Sequence, residues 1–74
     1  MRPLATVPPG TRCRVVSVRG TDVITQRLME MGIISGADLE VVRVAPLGDP
    51  IQISVMGYRL AIRKSEAARV DVLP

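Results

Sequence analysis

The residue types that carry most protein chemistry are scarce in this chain of 74 residues. It has no histidine, and Cys13 is its only cysteine. Zinc, copper, haem and iron–sulfur sites draw on these two residue types, so one chain cannot assemble any of the usual ligand sets. The same scarcity excludes a serine–histidine–acid triad, a cysteine–histidine nucleophile and an intrachain disulfide. We therefore expect no cofactor, no metal site and no enzymatic activity, and the single cysteine is typical of a reducing cytoplasm.

Two single residues remain as candidates for chemistry. Cys13 lies in a predicted strand whose alternation sends Arg12 and Arg14 to the opposite face, so the simplest interpretation is a small buried hydrophobe with an inert thiol. Arg19, beside Gly20 in a predicted loop, has the position from which an arginine finger could reach a partner's nucleotide site. An ordinary surface arginine is the simpler interpretation of Arg19.

Acidic residues and glycines form no catalytic or phosphate-binding pattern. The seven acids fall at predicted helix ends, turns and outward strand positions, and no two have a spacing that general acid–base catalysis needs. No glycine run precedes a helix in the manner of a phosphate-binding loop, and Lys64 follows none. We interpret the glycines as turn positions that need a positive φ.

The formal net charge of +3 comes from nine arginines and Lys64 against seven acids. A dispersed excess of this size is typical of a solvated surface, with an acidic protein or the anionic inner leaflet of a membrane as alternative partners. Tyr58 is the only aromatic residue, so nucleic acid is a poorly supported partner. No apolar run has the length of a secretory signal or a membrane span, which predicts a soluble protein.

Short Val-, Ile- and Leu-rich segments separated by Gly and Pro predict a mainly β fold. Leu4 and Val7 should fold back over the core. In the second of the predicted strands, strict alternation puts Arg43 on the side of Leu39 and Val41. Five strands are expected, at 12–18, 38–45, 51–55, 58–62 and around Val70 and Val72. Five such strands most economically close into a small barrel.

The spacing of the apolar residues changes from every second residue to every third or fourth, which predicts one inserted α-helix from about Asp22 to Met31. Ile24, Leu28 and Met31 share one helical face, Thr21 or Asp22 can cap the first turn, and Gly32 can end the helix. A short helical turn is expected near Ser65 to Ala68, capped by Ser65. The three methionines Met29, Met31 and Met56 could fill the core or form an adaptable contact surface, and core filling is the favoured interpretation.

Three segments together resemble the FeoA family, the small ferrous iron transport A proteins of bacteria and archaea. They are RLMEMGI at 27–33, the APLGDP loop at 45–50 and LAIRKSEA at 60–67. The resemblance extends from Leu4 to Val72, so residues 1–74 are taken as a single domain of that type. Ser35 departs from the family pattern, which commonly has proline there.

The resemblance implies an SH3-like β-barrel and a cytoplasmic accessory role in ferrous iron uptake, with the inner face of the cell membrane as a second location. It also implies a protein partner, the cytosolic part of the membrane G protein FeoB. A docking surface is expected on the helix and the 45–50 loop, where Leu47 is an apolar residue that stability does not require. The predicted partner-binding residues are Arg27, Met31, Arg43, Leu47, Gly48 and Asp49.

Two further hypotheses belong to other classes. Docking could change the GTP hydrolysis or nucleotide exchange of the partner, which would make the chain a regulator rather than a scaffold. Alternatively, the chain resembles the SH3-like C-terminal domain of an iron-dependent transcriptional repressor. The first strand begins within about a dozen residues of Met1, and this favours the free-standing protein.

Overall fold

The computed structural model describes residues 1–74 and confirms a mainly β fold. Its six strands and two α-helices follow one another as β1 Arg2–Pro3, β2 Thr11–Val18, α1 Val23–Glu30, β3 Asp38–Val44, β4 Ile51–Val55, β5 Tyr58–Ile62, α2 Lys64–Ala67 and β6 Val70–Leu73. A 3-10 turn at Leu4–Thr6 links β1 to β2. None of the helices has the length and the apolar character needed to cross a membrane.

All six strands form one antiparallel sheet in the order β1-β6-β2-β3-β4-β5. Two expectations need correction. There are six strands rather than five, because Arg2–Pro3 pairs with β6, and a two-residue segment containing proline gives no strand signal. The sheet also curves without closing, since β1 and β5 remain its two edges. The expected cover of Leu4 and Val7 over the core is confirmed, as both side chains are buried.

A β-bulge in each of the two central strands reverses the inward and outward faces. Val16 in β2 and Val42 in β3 are extra residues, because the register shifts between Val15 and Ser17 and between Val41 and Arg43. Each bulge follows a buried valine and occurs in a Val-Val-polar-Val segment. A bulge bends and twists its strand, which lets a short sheet curve around its core.

The bulge in β3 corrects the predicted face of Arg43. Strict alternation puts Arg43 with Leu39 and Val41, whereas the observed register pairs it with exposed Gln52 and turns its side chain to solvent. Val44 then pairs with buried Ile51 and packs against the core. The sequence pattern missed this because a one-residue slip moves every following side chain to the other face.

Helix α1 has the expected caps. Asp22 is the N-cap residue, and its Oδ1 accepts a hydrogen bond from the Thr25 amide at 3.2 Å. Gly32, just past the C-cap Met31, has a φ of +97°, where a side chain is strained. Arg69 donates to the same Asp22 Oδ1 at 2.6 Å, which ties the start of α1 to the segment before β6.

Two turns complete the description. Met56 and Gly57 both have positive φ, at 56° and 81°, which is the geometry of a tight β4–β5 hairpin. Helix α2 begins at Lys64 with Arg63 as its N-cap residue, so the predicted Ser65 cap is wrong. Glu66 serves the helix start instead, because its Oε1 accepts from the Arg63 amide at 2.8 Å.

The core is one cluster of 15 buried apolar residues drawn from the inner face of the curved sheet, from both helices and from the connecting segments. Leu28 of α1 and Ile53 of β4 are fully buried in it. Tyr58 lies opposite buried Val55 at the hairpin, but its own side chain is exposed. Its hydroxyl donates a hydrogen bond to the Met31 carbonyl oxygen.

Candidate functional site

The loop between β3 and β4 is a fixed structure with an apolar tip. Within it the Gly48 amide donates to the Ala45 carbonyl at 2.7 Å, and the Ala45 amide donates to the Pro50 carbonyl at 3.1 Å. Gly48 has a φ of +87°, which the turn requires and which favours glycine. The Leu47 side chain at the tip is 96% exposed. No other large apolar residue of the chain is so fully exposed, although the segment around it is hydrogen-bonded in place.

Asp49 fixes the stem of this loop to the second helix. Its Oδ1 accepts a hydrogen bond from the Lys64 amide at 2.9 Å, at the first residue of α2. One of the amides that a helix start leaves without an intrahelical partner is thereby satisfied from a distant loop. The structure thus gives Asp49 a positioning role, since its carboxylate holds the Leu47 turn against the end of β5.

A groove of about 350 Å³ lies beside the loop stem. Its lining residues come from α1, the end of the loop, the end of β5 and α2: Ile24, Arg27, Pro50, Ala61, Ile62, Arg63, Ser65 and Glu66. Arg27 is mostly exposed, and one of its guanidinium nitrogens lies 3.9 Å from Glu66 Oε2. Glu66 is buried and already accepts a hydrogen bond from the Arg63 amide, so this long contact leaves the exposed guanidinium of Arg27 able to reach an acid of a partner.

The structure brings five of the six predicted docking residues to one end of the sheet, beside groove residues that the sequence did not single out. Arg27, Arg43, Leu47, Gly48 and Asp49 all lie toward the end of the sheet where β3 and β5 finish and β4 begins. The groove residues on β5 and α2 were missed. One signal for them was available, the acid three residues after Arg63, which is the spacing of a helix N-terminus.

Met31 does not join the other predicted docking residues. It is half-buried and packs against the core, and its carbonyl accepts the hydrogen bond of Tyr58 at the start of β5. That end of β5 is the hairpin end, opposite the Leu47 loop. Met29 and Met56 are exposed, so core filling holds for Met31 alone among the three central methionines.

The remaining candidates for chemistry are held in structural contacts. Cys13 is buried, and desolvation raises the pKa of its thiol, which disfavours the reactive thiolate. The Arg19 guanidinium donates to the Ala68 carbonyl, and its Nε lies 3.1 Å from Asp71 Oδ2. No three His, Cys, Asp or Glu side chains come together in a group that could hold a metal ion.

A second concavity, of about 640 Å³, lies where β3 begins and β4 ends. Its charged residues already face one another, with Arg14 Nε 3.0 Å from Asp38 Oδ1 and Arg12 Nε 3.7 Å from Glu40 Oε1. The charged side chains of this concavity are therefore paired with one another.

Comparison with known proteins gives one consistent family. The family model described as "FeoA domain" matches residues 2–74. An Fe(2+) transport protein A/Fe(2+) transporter FeoB fusion protein of Porphyromonas gingivalis is 35% identical over 69 residues, which is 93% of this chain. The chain spans only 8% of the length of that fusion protein.

Solved structures agree with this family. The solution structure of the FeoA protein from Chlorobium tepidum is 40% identical and superimposes with a TM-score of 0.87, over 97% of this chain and 68% of that one. FeoA of Stenotrophomonas maltophilia, solved in complex with zinc and described as a procaryotic SH3 domain protein, is 37% identical with a TM-score of 0.82, over 93% of this chain and 86% of that one. The fold is therefore SH3-like, as the resemblance implied.

At the level of fold the likeness extends further. A manganese-dependent transcriptional repressor superimposes with a TM-score of 0.88 at 18% identity, over 97% of this chain and 35% of that one. The T. acidophilum IdeR structure matches 95% of this chain with a TM-score of 0.83, at 24% identity and over 32% of its own length. At this identity the match shows shared architecture alone.

Proposed function

The chain belongs to the FeoA family of ferrous-iron-transport-associated proteins, and we propose that it acts at the cytoplasmic side of the membrane by docking onto the cytosolic part of a FeoB-type membrane G protein. Support comes from the Porphyromonas gingivalis relative, in which the two parts form one polypeptide. A fusion keeps two domains at an effective concentration of about the millimolar range, so even a weak contact stays formed. A separate chain needs a surface that recognises its partner.

The main observation behind this proposal is the exposure of Leu47. Its side chain is 96% exposed at the tip of a turn that two backbone hydrogen bonds and the Asp49–Lys64 contact hold in place. The folded chain gains almost nothing from an exposed leucine. Full burial of that side chain in a partner pocket would contribute about 1.5–3 kcal/mol, and the ordered loop reduces the entropy lost on binding.

Arginines on two sides of the loop give the surface a charge preference. Arg43 is exposed and forms no ion pair within the chain, while Arg27 has only its long contact with Glu66. Such groups raise the association rate with an acidic surface more than they raise affinity. We therefore propose a partner pocket for Leu47 with acidic side chains around it, with Gly48 and Asp49 acting to shape the loop.

Calorimetric titration of the cytosolic domain of a FeoB-type protein with Leu47→Asp tests this surface. Met56→Asp is the matched control, because Met56 is 72% exposed at the tip of the other hairpin and Asp tolerates its positive φ. The proposal predicts loss of binding for Leu47→Asp and native affinity for Met56→Asp. Native affinity for Leu47→Asp would remove the loop from the interface.

The proposed docking also changes the rate of GTP hydrolysis by the partner, without a catalytic residue from this chain. Arg19 is engaged by Asp71 and the Ala68 carbonyl, so an arginine finger would have to give up both contacts. Single-turnover hydrolysis should therefore respond to the wild-type chain and equally to Arg19→Ala. Equal hydrolysis rates with and without a saturating amount of the chain would leave a scaffold role only. Loss of the rate change in Arg19→Ala would show that Arg19 acts as an arginine finger.

A repressor-type domain is the second class of function that the fold allows. The IdeR likeness is one of architecture at 24% identity, whereas the FeoA family model matches nearly the whole chain. No contact or charge pattern in the structure favours the repressor function over docking to a transporter.

A further inference from the structure

The outer face of β3, β4 and β5 carries arginines that no acid neutralises. Arg43, Arg59 and Arg63 are exposed and take part in none of the five ion pairs of the chain. The cross-strand register places Arg43 and Arg59 on one face, and Arg63 continues β5 in extended backbone as the N-cap residue of α2. Arg43 is opposite Gln52, Gln52 is opposite Ala61, and Arg59 and Arg63 lie two residues before and after Ala61.

One further row extends this face toward β2. Arg12 is opposite Glu40, Glu40 is opposite Ser54, and Ser54 is opposite Arg59. We call these side chains the arginine face, made of Arg12, Arg43, Arg59 and Arg63 with the acid Glu40 and the uncharged Gln52, Ser54 and Ala61. The uncharged members are short or polar, so no bulky apolar side chain stands between the arginines.

The arginine face holds the whole net charge of the chain. Its four arginines and one glutamate give +3, which is the formal net charge of all 74 residues. The other six basic residues and the other six acids cancel, and eight of those twelve residues face one another in four ion pairs. The charge excess is thus concentrated on one face instead of being spread over a mixed-sign surface.

We propose that the arginine face contacts the anionic phospholipid headgroups of the membrane in which the partner transporter sits. This inference rests on the proposed function, because docking to a membrane protein is what brings the face near a bilayer. A lipid surface fits better than nucleic acid. The face is the outer side of a sheet, with no aromatic side chain to stack on bases and no helix to enter a groove.

The expected contact is weak and depends on salt. An arginine close to an anionic bilayer raises partitioning about fivefold, so the four together act as a reversible contact that orients an already tethered domain. Screening confines the attraction to about 8–10 Å at physiological ionic strength. The face and the Leu47 loop are adjacent, since Arg43 lies two residues before Ala45 where that loop begins. One side of the domain could therefore meet lipid while the loop meets protein.

The experiment measures co-sedimentation of the chain with vesicles of phosphatidylglycerol and phosphatidylcholine in equal parts. Phosphatidylcholine vesicles serve as the neutral reference, at salt of about 0.05 M and about 0.5 M. Arg59→Gln/Arg63→Gln removes two charges from the face. Arg2→Gln/Arg19→Gln is the matched control, because it removes two exposed charges from β1 and from the residue after β2, away from the arginine face, and leaves the same net charge.

The proposal predicts binding to the anionic vesicles at low salt only, reduced about 25-fold by Arg59→Gln/Arg63→Gln and less than about threefold by the control. Equal losses in the two variants, or no difference between the vesicle types, would overturn it. So would tight binding of a labelled DNA duplex that depends on Arg59 and Arg63, in the absence of vesicle binding. Arg59 lies outside the docking loop and its groove, whereas Arg63 lines the groove. Arg59→Gln alone is therefore titrated calorimetrically against the soluble partner domain without lipid, and that result stays informative whichever way the vesicle result falls.

Discussion

Asp49 Oδ1 accepts a hydrogen bond from the Lys64 amide at 2.9 Å, across 15 residues of chain. This contact joins the loop that carries Leu47 to the first residue of α2, which follows directly on β5 and Arg63. The docking loop, the groove beside Arg27 and the helix that supplies Glu66 are thereby held as one unit. The account of function depends on that unit being ordered before a partner arrives.

Removal of the Asp49 carboxylate should loosen the loop without unfolding the chain. Asp49→Ala should lower the free energy of unfolding by about 0.5–1.5 kcal/mol, the usual net value of one hydrogen bond, and should speed exchange of the Lys64 amide hydrogen. Asp49→Asn keeps an oxygen acceptor and should restore most of that protection. Hydrogen exchange followed by NMR measures both, and unchanged Lys64 exchange in Asp49→Ala would show that the contact does not anchor the loop.

Leu47 should be dispensable for folding. Because its side chain is exposed, Leu47→Ala should change the free energy of unfolding by less than about 0.5 kcal/mol. Ile53→Ala, a truncation in the centre of the core, should lower it by about 2–5 kcal/mol. Urea denaturation of both variants measures the contrast. A large loss in Leu47→Ala would mean that the loop tip packs on the domain and is not available to a partner.

Two glycines with similar φ should respond differently to alanine. Gly32 has a φ of +97°, and a Cβ there would lie 2.9 Å from Met56 Cγ, whereas at Gly36, with a φ of +88°, a Cβ would meet nothing within 4 Å. Gly36→Ala should lose about 1–2 kcal/mol of stability through backbone strain alone. Gly32→Ala should lose about 1 kcal/mol of stability more than Gly36→Ala, because the Met56 side chain must move. Equal denaturation midpoints for the two variants would show that the Met56 side chain moves away from the added Cβ without a cost in stability.

The Asp22–Arg69 contact should make stability depend on acid pH. The hydrogen bond from Arg69, aided by the Thr25 amide, lowers the pKa of Asp22 from 3.8 to about 2. A carboxyl with a lowered folded-state pKa stabilises the fold above its unfolded pKa and loses that effect as pH falls through the folded value. Asp22→Asn keeps the cap but removes the charge, so its melting temperature should lie below wild type at pH 7.

The difference in melting temperature between wild type and Asp22→Asn should shrink between about pH 4 and pH 2 and be absent below that. Thermal unfolding followed by circular dichroism across this range is the measurement. A difference that stays constant down to pH 2 would show that the substitution acts through the shape of the cap rather than through its charge.

Much of the fold follows from local sequence signals, and the exceptions have specific physical causes. The period of Ile24, Leu28 and Met31 with the Asp22 cap predicted α1, and the alternation after Pro50 predicted β4 and β5. The bulges at Val16 and Val42 were missed, because an extra residue shows only as a doubled valine and its effect depends on the register of a distant strand. Strand β1 was missed because two residues carry no periodicity.

In the candidate site, too, some features follow from local sequence and others depend on strand pairing. Exposure of Leu47 was predictable, since a leucine between proline and glycine in a turn has little to pack against. The outward position of Arg43 was not, because it depends on the bulge at Val42. The concentration of net charge on the arginine face could not be predicted either. It emerges only when Arg12, Arg43, Arg59 and Arg63 are brought together by the pairing of four strands.

The most direct test of docking through the Leu47 loop is an NMR titration of the ¹⁵N-labelled chain with the unlabelled cytosolic domain of a FeoB-type protein. The account predicts that the largest amide shifts fall on Arg43, Leu47, Gly48, Asp49 and Lys64, while Met56 and Gly57 at the opposite hairpin stay in place. Shifts that concentrate on the hairpin and leave the Leu47 loop unperturbed at saturation would contradict it.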